Sequence, residues 1–142
     1  MKQAMKPVWV ILFVLLGMLA VVGISQFTGG GGEDRIPWQH DLPAAQTAST
    51  RESKPVLLYF TATWCGPCKR MKETTWADER VATALTKYIP VKIDIDQQKD
   101  VALKYGVDGI PRVDVISPDG SHKVIMTGAA PPDEFLSLLG SK

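Results

Sequence analysis

Cys65 and Cys68 are the only cysteines in the 142-residue chain, and they stand in a C-x-x-C spacing. On the first turn of a helix, that spacing lets two sulfurs close a small ring when oxidised and separate when reduced. A helix N-terminus offers unpaired N–H groups and the positive end of the macrodipole, so the first sulfur is favoured as the thiolate nucleophile. Cys68, one turn further in, is expected to be the less exposed sulfur and to resolve the mixed disulfide that Cys65 forms. Two other uses compete. Zinc would need two more ligands, and only His40 and His122 exist, both far away in sequence and out of ligand spacing. An inert bridge would close a loop too short to restrict the unfolded chain much. Two cysteines also cannot staple a multi-disulfide secreted scaffold. Thiol exchange needs no cofactor and no metal, and it is the chemistry the pair suits best.

The elements around the pair predict a strand-to-helix junction. Val56–Thr61, VLLYFT, is a short apolar run with the length of a buried parallel strand, and it ends just before Trp64-Cys65. Upstream, Asp41 before Leu42-Pro43 starts a helix toward Glu52, and Pro55 stops it. Downstream, Lys69–Thr74 favours helix, and Asp78 opens a second helical stretch with Val81, Leu85 and Tyr88 near the helical period, closed by Pro90. Val91–Ile95 alternates as a strand, Val101–Tyr105 is a short helix ended by Gly106, and Gly109-Ile110-Pro111 precedes a strand over Arg112–Ile116. Pro118-Asp119-Gly120 signals a turn into a hairpin partner at His122–Met126; Gly128 breaks it, and Pro132 opens a terminal helix. This order predicts an α/β fold with a mixed central sheet flanked by helices. The cysteines then lie beyond the carboxyl end of a strand, where functional groups gather in open α/β sheets.

Mean hydropathy is +0.01 and formal net charge +1, which exclude an acidic disordered chain and a strongly basic nucleic-acid binder. The average hides a division. Residues 8–27 carry no charge and are long enough to cross a hydrocarbon core of roughly 30 Å at about 1.5 Å per residue. Lys2 and Lys6 precede this run with no acidic residue on that side, so residues 1–7 are expected in the cytoplasm and the remainder outside. A cleaved signal peptide, giving a secreted protein, is the competing reading; its apolar region is usually shorter, and no clear small-x-small site follows here. Residues 28–35, beginning TGGGG, read as a flexible linker, with the folded domain at 36–142. Without Lys2 and Lys6, 14 of the 16 basic residues face all 15 acidic ones, so no general electrostatic partner follows.

Trp64-Cys65-Gly66-Pro67-Cys68-Lys69 reads WCGPCK. This hexapeptide resembles the active-site signature of the thioredoxin family, and the resemblance extends over residues 54–139. It implies the thioredoxin fold, thiol-disulfide oxidoreductase activity, Cys65 as nucleophile, Cys68 as resolving thiol and a redox disulfide between them. Lys104–Pro111, KYGVDGIP, is similar to the family's segment before its cis-proline, which implies a cis Pro111 beside the sulfurs and an Ile110 that offers backbone to a substrate peptide. Gly128-Ala129 resembles the loop that completes the substrate groove. Trp64, Gly66 and Pro67 would form the groove's remaining wall, and Lys92 matches a lysine in the family's third strand. Residue by residue, bland readings stand beside these: Pro111 as an ordinary trans proline, Trp64 as core packing, Gly128 as a strand end, and Lys92 as a snorkelling lysine. Arg112, next to Pro111, either tunes the thiolate or faces water.

The chain also departs from the family pattern. A buried aspartate six residues before the first cysteine is replaced by Tyr59, the helix-kinking proline by Glu73, and the following segment contains the extra Thr74-Thr75-Trp76-Ala77-Asp78. These features are similar to the periplasmic thioredoxin-like domain of the disulfide-interchange reductant transporters of the bacterial envelope. Glu73 becomes a candidate proton acceptor for Cys68, or else a solvated helix residue. Gly-Pro between the cysteines resembles the reducing members, whose potentials are about −270 mV, rather than the strong oxidants at about −120 mV. The resemblance thus implies a single-pass protein of the inner membrane, with residues 8–27 in the lipid bilayer, that reduces disulfides of extracytoplasmic proteins. Its electrons would come from a transmembrane thiol-reductant donor. A disulfide oxidase or isomerase, and a non-catalytic binding module in envelope assembly, are the alternatives.

Overall fold

In a computed structural model of the chain, residues 35–141 are described. The expected cytoplasmic segment 1–7, the expected span 8–27 and the linker up to residue 34 lie outside the described residues. Among the described residues, no helix is long and apolar enough to cross a membrane. The elements are α1 (Leu42–Glu52), β1 (Val56–Thr61), α2 (Gly66–Glu73), α3 (Glu79–Leu85), β2 (Ile89–Asp94), α4 (Lys99–Lys104), β3 (Arg112–Ile116), β4 (His122–Thr127) and α5 (Pro132–Gly140).

The strands form one sheet in the order β2-β1-β3-β4. β1 runs parallel to β2, and the other two pairings are antiparallel, so the sheet is mixed. All six residues of β1 are buried, as its continuous apolar run requires of a strand covered on both faces. Its alternating side chains enter two cores. Leu57 and Tyr59 join Met71, Trp76, Val81, Leu85 and Phe135 on one side of the sheet, whereas Val56, Leu58 and Phe60 join Leu42, Ala45, Val91 and Ile93 on the other.

Local signals set the ends of the elements. Asp41 caps α1, accepting from the Ala44 N–H at 2.9 Å, and Asp78 caps α3 through the N–H groups of Arg80 and Val81. Several boundaries differ from the sequence expectation, two of them with a clear physical reason. α2 begins at Gly66 rather than Lys69 because Cys65 itself serves as its N-cap. β2 begins at Ile89 and contains Pro90, which the sequence pattern takes as a stop. Proline lacks a donor, and it is tolerated at the start of a strand on the sheet's rim; the Pro90 carbonyl still accepts from Gln39 N at 2.9 Å, and Gln39 bridges Val91 in parallel. The register Val56↔Ile89 through Thr61↔Asp94 brings the carboxyl ends of β1 and β2 to one edge. The cysteines follow β1 at that edge.

Candidate active site

Cys65 and Cys68 are joined as a disulfide, with their Cα atoms 5.3 Å apart. Cys65 occupies the N-cap of α2 with extended backbone, and the Cys68 N–H donates to Cys65 Sγ at 3.2 Å. The same donor and the end of the helix dipole stabilise a Cys65 thiolate once the bond is reduced. Cys68 was expected to be the less exposed of the two, but both are 3% exposed. Position on the helix therefore distinguishes the two sulfurs, since Cys65 alone stands at the cap.

Ala62, Ile95 and Ile110 pack around the sulfurs. Ile110 lies in the segment between α4 and β3, and the Ile110–Pro111 peptide is cis. The Gly128 N–H donates to the Pro111 carbonyl at 2.7 Å, which joins the Gly128-Ala129 loop to the same wall. Gly128 adopts φ +98°, a conformation open to glycine and strained for other residues. Thr75, from the segment that departs from the family pattern, anchors this loop from below by donating to the Ala130 carbonyl at 2.5 Å. Trp64 is 64% exposed, so it does not belong to the core. Its indole Nε1 donates to Asp96 Oδ2 at 2.7 Å, which ties the residue before Cys65 to the turn after β2. The structure thus assembles Trp64, Cys65, Gly66, Pro67, Cys68, Ile110, Pro111 and the Gly128 loop at one edge of the sheet.

Two sequence expectations change. Glu73 ends α2 in an exposed position, and it does not line the cleft of about 260 Å³ beside Cys68, which is bounded by Tyr59, Thr61, Lys69, Lys72, Lys92 and Asp94 among others. Asp94 is the carboxylate that shares this cleft with Cys68, and Asp94 Oδ1 also accepts from the Asp96 N–H at 2.9 Å, which shapes the turn presenting Asp96 to Trp64. Arg112 neither faces water nor reaches the sulfurs: it is 6% exposed and pairs with Asp114 at 2.8 Å. His40 and His122, the only histidines that zinc could have recruited, bond to the Lys92 carbonyl and to Asp114. Among the described residues, no group of three or more His, Cys, Asp or Glu could hold a metal ion.

Tyr59 and Trp76, the two most conspicuous departures in sequence, meet in the core. Their ring centroids are 4.9 Å apart, and Trp38 and Phe135 pack edge-on against Trp76 at 5.3 and 5.1 Å. The aromatic at position 59 and the inserted tryptophan are thus one packing unit. Sequence reasoning missed Asp94, Asp96, Thr75 and the Arg112–Asp114 pair. The alternation of Lys92, Asp94 and Asp96 along V-K-I-D-I-D was the available signal for the first two.

A disulfide at a helix N-cap, faced by a cis-proline loop on a mixed sheet, defines a thioredoxin-like thiol-disulfide oxidoreductase. A family profile described as thioredoxin-like matches residues 37–118, more than half of the chain, and the protein belongs to that family. The chain is 37% identical over 71 residues to a TPR repeat-containing thioredoxin of Arabidopsis thaliana, matching 50% of this chain and 18% of that protein. It is 33% identical over 88 residues to the thiol:disulfide interchange protein DsbD of Campylobacter jejuni, matching 59% of this chain and 15% of that one. The chain therefore spans less than a fifth of the length of either relative. The oxidised C-terminal domain of Neisseria meningitidis DsbD superposes with a TM-score of 0.61 at 27% identity, covering 72% of this chain and 96% of that domain.

Proposed function

We propose that this protein is a membrane-anchored reductase of disulfides in extracytoplasmic proteins. The observation that carries the reading is the WCGPCK disulfide at the α2 N-cap, with Cys65 Sγ already accepting a backbone N–H. The reduced Cys65 thiolate attacks a substrate sulfur; a Cys65–substrate disulfide forms, the substrate disulfide breaks, and one substrate thiolate leaves. Cys68 then loses its proton and attacks Cys65 Sγ, forming the Cys65–Cys68 disulfide and releasing the second substrate thiolate. Two electrons pass from the protein dithiol to the substrate, and the departing thiolates take up protons. Asp94, the carboxylate lining the Cys68 cleft, accepts the Cys68 proton.

Regeneration in an oxidising compartment requires a thiol-reductant donor in the membrane. The similarity to part of DsbD and the charge-free residues 8–27 support this placement. Insulin reduction tests the activity: the purified chain with a chemical reductant is expected to precipitate insulin B chain, and Cys65→Ser to do nothing above background. Equilibration against glutathione tests the direction. A potential above about −180 mV would replace the reductase reading with an oxidase or isomerase one.

A further inference from the structure

The strand that follows the cis peptide carries two charged residues where an apolar pair would suffice. Arg112 and Asp114 alternate with Val113 and Val115 on β3, and they are 6% and 0% exposed. The guanidinium donates from Nε to Asp114 Oδ1 at 2.8 Å and from Nη2 to Oδ2 at 2.9 Å. It also donates from Nη1 to the Gly106 carbonyl at 2.9 Å and from Nη2 to the Tyr105 carbonyl at 3.1 Å. Those carbonyls terminate α4, where unpaired C=O groups and the negative end of the helix dipole favour a cation. Gly106, at φ +59°, turns the chain out of the helix.

Residues 106–112 are thereby closed into a ring: the chain leaves Gly106, passes through Ile110 and Pro111, and returns at the residue whose side chain grips the Gly106 carbonyl. Other groups fix the fork in place. Asp114 Oδ2 also bonds His122 Nε2 at 2.8 Å, and the Phe60 ring lies 6.0 Å from Arg112 Cζ. A buried ion pair adds little net stability over apolar residues of similar volume. What a planar five-donor fork does add is direction, because it can hold two carbonyls and a carboxylate at once.

We propose that Arg112, aligned by Asp114, is a positioning residue for polypeptide substrates, holding the 106–112 ring so that Ile110 and Pro111 present their backbone to the chain flanking a substrate disulfide. The inference rests on the exchange chemistry of Cys65 and Cys68. A small disulfide needs only the sulfurs, whereas a protein disulfide also needs the ring.

The full chain in detergent is assayed in its reduced form with insulin and with the small aromatic disulfide dithionitrobenzoate, for wild type, Arg112→Lys and the double variant Arg112→Met/Asp114→Leu. Lysine keeps a charge for Asp114 but cannot bridge both carbonyls, and the apolar pair removes the clamp without leaving a buried unpaired charge. Both variants are expected to lower the insulin-to-small-disulfide ratio of single-turnover second-order rate constants about tenfold, the scale of one or two lost hydrogen bonds, through a higher half-saturating insulin concentration. A ratio equal to that of wild type in Arg112→Lys overturns the proposal, and so does a parallel loss with both disulfides. Wild type inactive on both disulfides would instead strike the exchange reading itself.

Discussion

Chemistry at the residue scale depends on the different surroundings of two sulfurs that are equally covered. Cys65 receives the Cys68 N–H at the head of α2, so its thiolate is stabilised before any substrate arrives. Cys68 has no such cap, and it lines a cleft together with Asp94, the carboxylate proposed to take its proton. Replacing Cys68 by Ser is expected to leave Cys65 able to attack but not to be released, so that protein adducts accumulate on non-reducing gels; identifying the adducts reports substrates and donor together. Asp94→Asn keeps an acceptor for the Asp96 N–H while removing the carboxylate. Release of the mixed disulfide should then slow about a hundredfold, the low end of what a positioned base contributes. Glu73→Gln, at the exposed end of α2, should leave that step unchanged. Equal rates for wild type and Asp94→Asn in single-turnover stopped flow would remove Asp94 from the mechanism.

Element ends are where short-range chemistry meets the fold. Asp78 caps α3 and also binds Arg80, which reaches across to Asp133 of α5 at 2.7 Å. The Arg80 side-chain hydrogen bond, chief among several causes, holds the Asp78 carboxyl below the usual carboxylate range, against the opposing effect of burial. A carboxylate whose pKa is lowered by folding stabilises the native state above its unfolded pKa, and that contribution disappears as pH falls through the folded value. Asp78→Asn, which retains the cap, should therefore flatten the acid limb of the urea-midpoint profile relative to wild type; superimposable profiles would count against the pair. At α1, Asp41→Ala removes the acceptor for Ala44 N and should lower unfolding stability by about 1 kcal/mol, read as a shift of the urea midpoint.

For the molecule as a whole, β1 separates two cores, and Trp76 is the largest side chain in either to be completely buried. Its rings of contact with Trp38, Tyr59 and Phe135 join the segment before α1, the central strand and the last helix. Trp76→Ala should cost about 3–5 kcal/mol by urea denaturation, the range for a large aromatic lost from a packed core. Trp76→Phe should cost clearly less, because the indole Nε1 that it removes has no hydrogen-bond partner among the described residues. Placement in the cell belongs to this scale too. The chain should sediment with membranes and resist carbonate extraction, and a reporter active only outside the cytoplasm should function at its C-terminus; recovery in the soluble fraction would replace the anchor with signal cleavage.

Features written in adjacent residues were legible without coordinates. The C-x-x-C spacing, the caps Asp41 and Asp78, the apolar run of β1 and the turn at Pro118-Asp119-Gly120 all act within about one turn or one strand, so sequence order alone determined them. Recognition of WCGPCK added Pro111 and Gly128 to the same site. Asp94, Asp96 and the Arg112–Asp114 fork were out of reach because their roles follow from pairings distant in sequence. Asp94 comes to line the cleft beside Cys68 only once β2 lies parallel to β1 in the register Thr61↔Asp94, and Arg112 is drawn inward only once α4 ends above β3 with two carbonyls to satisfy. The position of each cysteine in the C-x-x-C spacing was sufficient to single out a candidate nucleophile, but which groups surround it was decided by tertiary structure, since strand register and buried hydrogen bonding are satisfied by the whole fold and not by neighbours in the chain.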